Sequence, residues 1–289
     1  MKHNFCLKRA AAALLAAAVL LSLIGCSSSH PDPDLKPLTV TLLKVGKADA
    51  IIALCDDRAL LIDAGEEDDG QEVVDFLKKR VINEIDALII THFDQDHVGG
   101  ADTVLENIPV KTIYTPDYES SHTEYIDFAE AAKKSEVPVQ RLTEPVSFCF
   151  RDVDVLIEPP KSYDIKNESK DYDNNFSLIT TLTHGDNSLV FTGDAEKARI
   201  REWLSEKERG KCDFLKVPHH GIYNGALDEL FSALDPDFSV ICSSKKHPAE
   251  TRTLELLKEY CPNIFETRNG NVLVISDGNK LEVQQKVKL

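Results

Sequence analysis

Thr91-His92-Phe93-Asp94-Gln95-Asp96-His97-Val98-Gly99-Gly100 is the stretch on which the reading of this chain turns. It follows an apolar run at 87–90 that reads as a buried strand, and it ends in two glycines. Four candidate metal ligands fall within six positions, spaced H-x-D-x-D-H. In an extended segment residues two apart point the same way, so His92, Asp94 and Asp96 converge on one side. His97, adjacent to Asp96, then turns towards a second ion. Imidazole and carboxylate are suitable ligands for zinc, manganese or iron.

Three later polar clusters also follow strand-like runs: Gly193-Asp194 after 188–192, Pro218-His219-His220-Gly221 after 214–217, and Lys245-Lys246-His247-Pro248 after 240–242. Strand ends along one edge of a sandwich gather such residues into a single cleft. His92, Asp94, Asp96, His97, Asp194, His220 and His247 then form a ligand set large enough for two divalent ions, one carboxylate bridging them. A binuclear site activates water as a metal-bound hydroxide and stabilises charge on the attacked oxygen.

The rest of the chain alternates strand and helix patterning. Residues 38–45, 49–55 and 59–63 read as successive antiparallel strands, and 86–91 as the strand that delivers the ligand loop. Val73, Phe76, Leu77 and Val81 fall at helical spacing, as do Tyr125, Phe128 and Ala132 within 122–134. Residues 101–106 read as a short helix, and 110–114, 137–142, 147–150 and 153–157 as short strands. In the second half, 176–182 and 188–192 form a hairpin across Gly185-Asp186-Asn187, and a helix runs to about Glu208. A helix over 250–260 and strands around Ile264, 272–275 and 281–287 close the chain. The polar stretch 159–175 lacks periodicity and is long enough to act as a lid. Strand blocks separated by helices in both halves predict an α/β fold of two packed sheets with helices outside.

Lys2, Lys8 and Arg9 precede an unbroken apolar run at 10–21, and Leu23-Ile24-Gly25-Cys26 leads into three serines. A charged start, a short apolar core and a small residue before the cut describe an export signal, too short to span a membrane comfortably. Cysteine after Leu-x-Gly resembles the lipobox of bacterial lipoproteins. That resemblance implies a signal peptide over 1–25 and lipid on Cys26, which holds the protein on the outer side of a bacterial cell membrane. A serine- and proline-rich tether over 26–37 follows, and 38–289, with no internal repeat and no second composition shift, reads as one domain.

The chain has 33 basic and 49 acidic residues; without Lys2, Lys8 and Arg9 the balance is 30 against 49, a net charge of −19. Such a surface repels polyanions unless a basic patch or a bound metal offsets it. Five cysteines remain after Cys6 and Cys26, and no C-x-x-C spacing marks a zinc-thiolate site. Cys55 and Cys242 lie in apolar runs and read as core residues.

Taken in order, these segments resemble the metallo-β-lactamase-fold hydrolases, and most nearly the ComEC-type competence-protein hydrolase domain. The likeness runs over about 40–260. It rests on Leu61-Ile62-Asp63-Ala64-Gly65, the H-x-D-x-D-H-x-G-G loop with aspartate at the usual second histidine, and Asn174-x-x-Ser177. It continues through Thr192-Gly193-Asp194, Leu215-Lys216-Val217-Pro218-His219-His220-Gly221 and His247-Pro248. The resemblance implies an αββα sandwich of two mixed β-sheets flanked by helices, with a cleft for two zinc or manganese ions at one edge. His92 and Asp94 would hold one ion, Asp96 and His97 the other, and Asp194 would bridge them. His220 and His247 would complete the two sets in an unassigned order, and either His219 or His220 could ligate while its neighbour hydrogen-bonds. Asp96 and Asp194 are the implied catalytic carboxylates, Asp96 also orienting the nucleophilic water. Asp63 would orient a ligand histidine or the loop backbone, and Lys246 would meet an anionic substrate.

Three departures bear on the substrate. The family's Asp-Val-Gly-Gln-Gly-Asp appears as Lys44-Val45-Gly46-Lys47-Ala48-Asp49, Ile222 follows His-His-Gly in place of serine, and Lys246 stands where glycine precedes His-Pro. The family implies a phosphodiester, and nucleic acid within that class, which the acidic charge opposes. Phosphorylcholine esterases of bacterial surfaces resemble the same H-x-D-x-D-H pattern, so a small phosphodiester of the cell envelope is the second expectation. Asp94 argues against lactam hydrolysis. A non-catalytic lipoprotein that binds metal or a partner is the expectation from a different class.

Overall fold

The computed structural model describes residues 35–163 and 172–286. The export signal, Cys26 and most of the tether lie outside them, as does the middle of the 159–175 stretch. Six strands open the domain: β1 (Leu38–Leu42), β2 (Ala50–Cys55), β3 (Arg58–Ala64), β4 (Ala87–Ile89), β5 (Ile113–Pro116) and β6 (Val139–Leu142). A second set follows: β7 (Val146–Phe150), β8 (Val153–Glu158), β9 (Ile179–His184), β10 (Asn187–Phe191), β11 (Phe214–Lys216), β12 (Phe238–Ile241) and β13 (Asn263–Glu266). The closing hairpin is β14 (Asn271–Ser276) and β15 (Leu281–Lys286).

The strands form two sheets, ordered β15-β14-β1-β2-β3-β4-β5-β6 and β13-β12-β11-β10-β9-β8-β7. Both are mixed in the same way. Pairing is antiparallel from β15 to β3 and parallel from β3 to β6. It is antiparallel from β7 to β10 and parallel from β10 to β13.

Three apolar layers hold this together. Leu38, Val40, Ile62, Phe191, Phe214 and Val240 belong to the core shared by the two sheets. On the first sheet's outer face pack α1 (Gly70–Lys79), α3 (Ala101–Asn107) and α4 (Thr123–Lys134), with the one-turn α2 (Gln95–Val98) beside them. The second sheet is covered by α5 (Lys197–Glu206), α6 (Leu227–Leu234) and α7 (Thr251–Tyr260). Each sheet buries one face on the other and one on helices, which is the expected αββα arrangement.

Local differences have local causes. Val81 does not continue α1: the N–H groups of Arg80 and Val81 bond the carbonyls of Leu77 and Lys78, and Val81 turns left-handed at φ 61° and stands exposed. Residues 176–182 do not form one strand, because a 3-10 turn at Tyr172–Phe176 delays β9 until Ile179. Helix α6 was not among the expected elements, although Leu227, Leu230, Phe231 and Leu234 repeat at helical spacing and are all buried. The five cysteines of the described residues are free, with Cys55 and Cys242 buried.

Candidate metal centre

β3 and β4 lie parallel and end together, so their exits face one another. Asp63, at the end of β3, is fully buried and left-handed at φ 56°. Its carboxylate accepts the Thr91 N–H at 2.7 Å and the Thr91 hydroxyl at 2.7 Å. The same group lies 2.7 Å from His97 Nδ1. A carboxylate only accepts, so Nδ1 carries a proton, while Nε2 faces Asp194 Oδ1 at 3.3 Å.

The ligand loop is extended only as far as Asp94. There the N–H groups of His97 and Val98 bond the Asp94 carbonyl, each at 3.0 Å, and start α2. The alternation expected for His92, Asp94 and Asp96 therefore stops one residue short. His92 Nε2 lies 3.6 Å from Asp94 Oδ2, whereas the helical turn carries Asp96 and His97 inward together. Gly100 fits the contact behind them because a Cβ there would stand 2.4 Å from the Ala64 carbonyl oxygen.

The second sheet supplies the facing wall. After β10, Gly193 turns at φ 52° against Thr91, and the Asp194 N–H donates to Ser177 Oγ at 3.2 Å. After β11, His219 and His220 are both left-handed, at φ 46° and 51°. That bend separates the two rings. His220 Nε2 lies 2.9 Å from Asp194 Oδ2 and 3.1 Å from Asp96 Oδ2. His219 Nδ1 instead meets Glu196 Oε1 at 2.5 Å, and its Nε2 lies 3.3 Å from Asn174 Nδ2. The structure thus brings His220, and not His219, to the cluster.

His247 stands elsewhere. It is exposed in a turn where its N–H donates to Ser244 Oγ at 2.9 Å, and it belongs to none of the converging donor groups among the described residues. Lys246 is exposed beside it. Those groups are His92, His97 and Asp194; Asp96, His97 and His220; and Asp49, Asp63 and His97. Asp94 is half-buried at the rim, reaching the cluster through His92.

Asp49 and Lys216 were not among the expected site residues. Lys216 is wholly buried in β11, with Nζ 2.5 Å from Asp49 Oδ2, 3.3 Å from Asp194 Oδ1 and donating to the Gly193 carbonyl at 2.9 Å. The Asp49 contact is an ion pair without the alignment of a hydrogen bond, and both Asp49 oxygens otherwise lack hydrogen-bond partners. A lysine inside the apolar triplet Leu215-Lys216-Val217 was the available signal, since a fully buried lysine requires a partner. On the solvent side, Lys47 Nζ lies 2.6 Å from Asp96 Oδ2.

The electrostatics favour positive charge. Burial pushes the Asp194 carboxyl up, but His220, His97 and Lys216 outweigh it and hold it well below the usual range. Asp96 is likewise lowered, burial being overcome by His220 and His97. Burial opposes a proton on His220, yet Asp194 and Asp96 raise it to about 9. His97 is raised in the same way, by Asp194, Asp63 and Asp49 against burial.

The donors fit a divalent metal. His92 Nε2, His97 Nε2, both ring nitrogens of His220, and Asp96 Oδ2 are buried without a well-formed hydrogen bond. Each such group costs about 1–3 kcal/mol if left unpaired, and a cation at their meeting point satisfies several at once. Asp194, grouped with His92 and His97, turns one oxygen towards His97 and the other towards His220.

Known proteins resemble this chain over most of its length. ComE operon protein 3 of Bacillus subtilis (strain 168) is 29% identical over 208 residues, which is 70% of this chain and 26% of that protein. Recombination protein 2 of Haemophilus influenzae is 28% identical over 255 residues, 85% of this chain and 30% of that protein. The chain therefore spans less than a third of the length of these relatives. Among solved structures, the metallo-beta-lactamase fold protein YhfI from Bacillus subtilis superposes with a TM-score of 0.52 at 12% identity, covering 79% of this chain and 95% of that one. The metallo-beta-lactamase superfamily pattern itself matches residues 49–245. With that match over most of its length, the chain belongs to the metallo-beta-lactamase superfamily.

Proposed function

We propose that this protein is a metal-dependent phosphodiesterase acting outside the cell from a lipid anchor on Cys26. The observation that carries the reading is the set of buried nitrogen and oxygen atoms of His92, Asp96, His97 and His220 that lack a well-formed hydrogen bond and converge near Asp194. His92, Asp94 and Asp194 would hold one ion, and Asp96, His97, His220 and Asp194 the other, with zinc or manganese both suited to the mixed donor set. When bound there, divalent metal supplies Lewis acidity towards a phosphoryl oxygen and towards water.

The chain's own groups do the rest. Asp63 fixes His97 and the Thr91 backbone together, so the two loops keep their spacing as charge develops. Lys216 neutralises part of the Asp49 and Asp194 charge from inside. Asp96, at the mouth, would orient the attacking water. Recombination protein 2 is a relative whose name points to nucleic acid, whereas the formal net charge of −16 favours a small phosphodiester, such as an envelope head group, over a polyanion.

The test is turnover of linear DNA, RNA, bis-p-nitrophenyl phosphate and p-nitrophenyl phosphorylcholine in manganese and in zinc. Hydrolysis of a phosphodiester that is lost in His92→Ala supports the reading. A protein that binds metal and cleaves none of these substrates refutes it, leaving a metal-binding lipoprotein without catalysis.

A further inference from the structure

Lys47 sits in the turn between β1 and β2, which is pinned to the ligand helix: the Asp49 N–H donates to the Asp96 carbonyl at 3.1 Å. From this turn the Lys47 ammonium reaches 2.6 Å from Asp96 Oδ2, the same oxygen that faces His220 Nε2 at 3.1 Å. The Lys47 side chain is 34% exposed while that of Asp96 is 6% exposed, so the stem enters from solvent and ends at the cluster's mouth. Lys216, the other ammonium at these carboxylates, is sealed inside at 0% exposure. Among the described residues, Lys47 is therefore the lysine that touches a cluster carboxylate and still meets solvent.

An ammonium and a divalent ion on one carboxylate oxygen repel each other. A metal that draws on Asp96 weakens the hold on Lys47, and the flexible four-carbon stem lets the ammonium move. The group that can lie between an ammonium and a metal ion and satisfy both is an anion. We propose that Lys47 is the anion-receiving residue of the cleft, contacting a non-bridging phosphoryl oxygen of the substrate beside the metal site. The proposal rests on the phosphodiester reading for its ligand class.

The test is titration calorimetry of inorganic phosphate into the manganese-loaded protein, comparing wild type with Lys47→Met, Lys47→Arg and Lys280→Met. Lys280 lies exposed in the hairpin between β14 and β15, and its loss controls for net charge. Losing one charge-assisted contact weakens phosphate about tenfold in Lys47→Met. Lys47→Arg and Lys280→Met stay near wild type, and manganese content is the same in all four. Unchanged phosphate affinity in Lys47→Met overturns the proposal. So does a loss of manganese in that variant, which would make Lys47 a support of the metal ligands. Because the readout is anion binding, a protein that hydrolyses no phosphodiester yet shows this pattern loses the function reading and keeps the anion site.

Discussion

Asp63 holds His97 from behind: Oδ2 lies 2.7 Å from Nδ1, and the opposite ring nitrogen faces Asp194 Oδ1 at 3.3 Å. This pair joins the end of β3 on the first sheet to the β10 exit on the second. Its geometry is the usual way a carboxylate fixes the tautomer and direction of a ligating imidazole.

Asp63→Asn keeps the shape but replaces one acceptor oxygen by an amide. Metal affinity, measured by competition with a chromogenic chelator, is expected to fall about 10- to 100-fold. An unchanged affinity would make Asp63 a turn residue only.

His220→Ala and His247→Ala separate the two late histidines. His220 touches Asp96 and Asp194, whereas His247 is exposed in its turn. Metal loss in His220→Ala should exceed the about 100-fold effect of an orienting residue. Elemental analysis of His247→Ala should match wild type.

Lys216→Met removes a buried ammonium and leaves Asp49 and Asp194 facing each other. Breaking a buried pair in this way costs about 3–5 kcal/mol. Calorimetry should show a clear drop in Tm, with saturating manganese recovering part of it because a ligand of the folded state stabilises it.

Away from the site, Glu158 accepts Trp203 Nε1 at 2.9 Å and Arg209 Nη1 at 2.9 Å, with Lys207 Nζ at 3.0 Å. Burial pushes its carboxyl up, but these donors outweigh it and hold it below its usual 4.5. The folded value lies below the unfolded one, so this stability is present above the unfolded value and is lost as pH falls through the folded one. Thermal melts from about pH 6 to pH 3 should therefore decline less steeply in Glu158→Gln than in wild type.

The ligand loop was legible because its chemistry is local: His92, Asp94, Asp96 and His97 sit within a single segment after an apolar run. The sandwich was legible for a related reason, since strand and helix periods alternate in both halves. The turn that carries Asp96 and His97 was not, because it depends on two N–H groups sharing the Asp94 carbonyl. Asp49 and Lys216 lie far apart in sequence, and only packing of the two sheets brings them to 2.5 Å. Choosing between His219 and His220 likewise needed the left-handed backbone that sends one ring to Glu196 and the other to Asp194. Helix α6 carried its signal openly in Leu227, Leu230, Phe231 and Leu234.

Divalent metal held by this cluster is what the proposed hydrolysis requires. The most direct test is elemental analysis of the purified protein after manganese or zinc loading, paired with His92→Ala. About two ions per chain are expected in wild type, as a binuclear hydrolytic site requires, and a reduced content in the variant. A wild-type protein that retains no divalent ion, or a His92→Ala variant that retains the full complement, would contradict it.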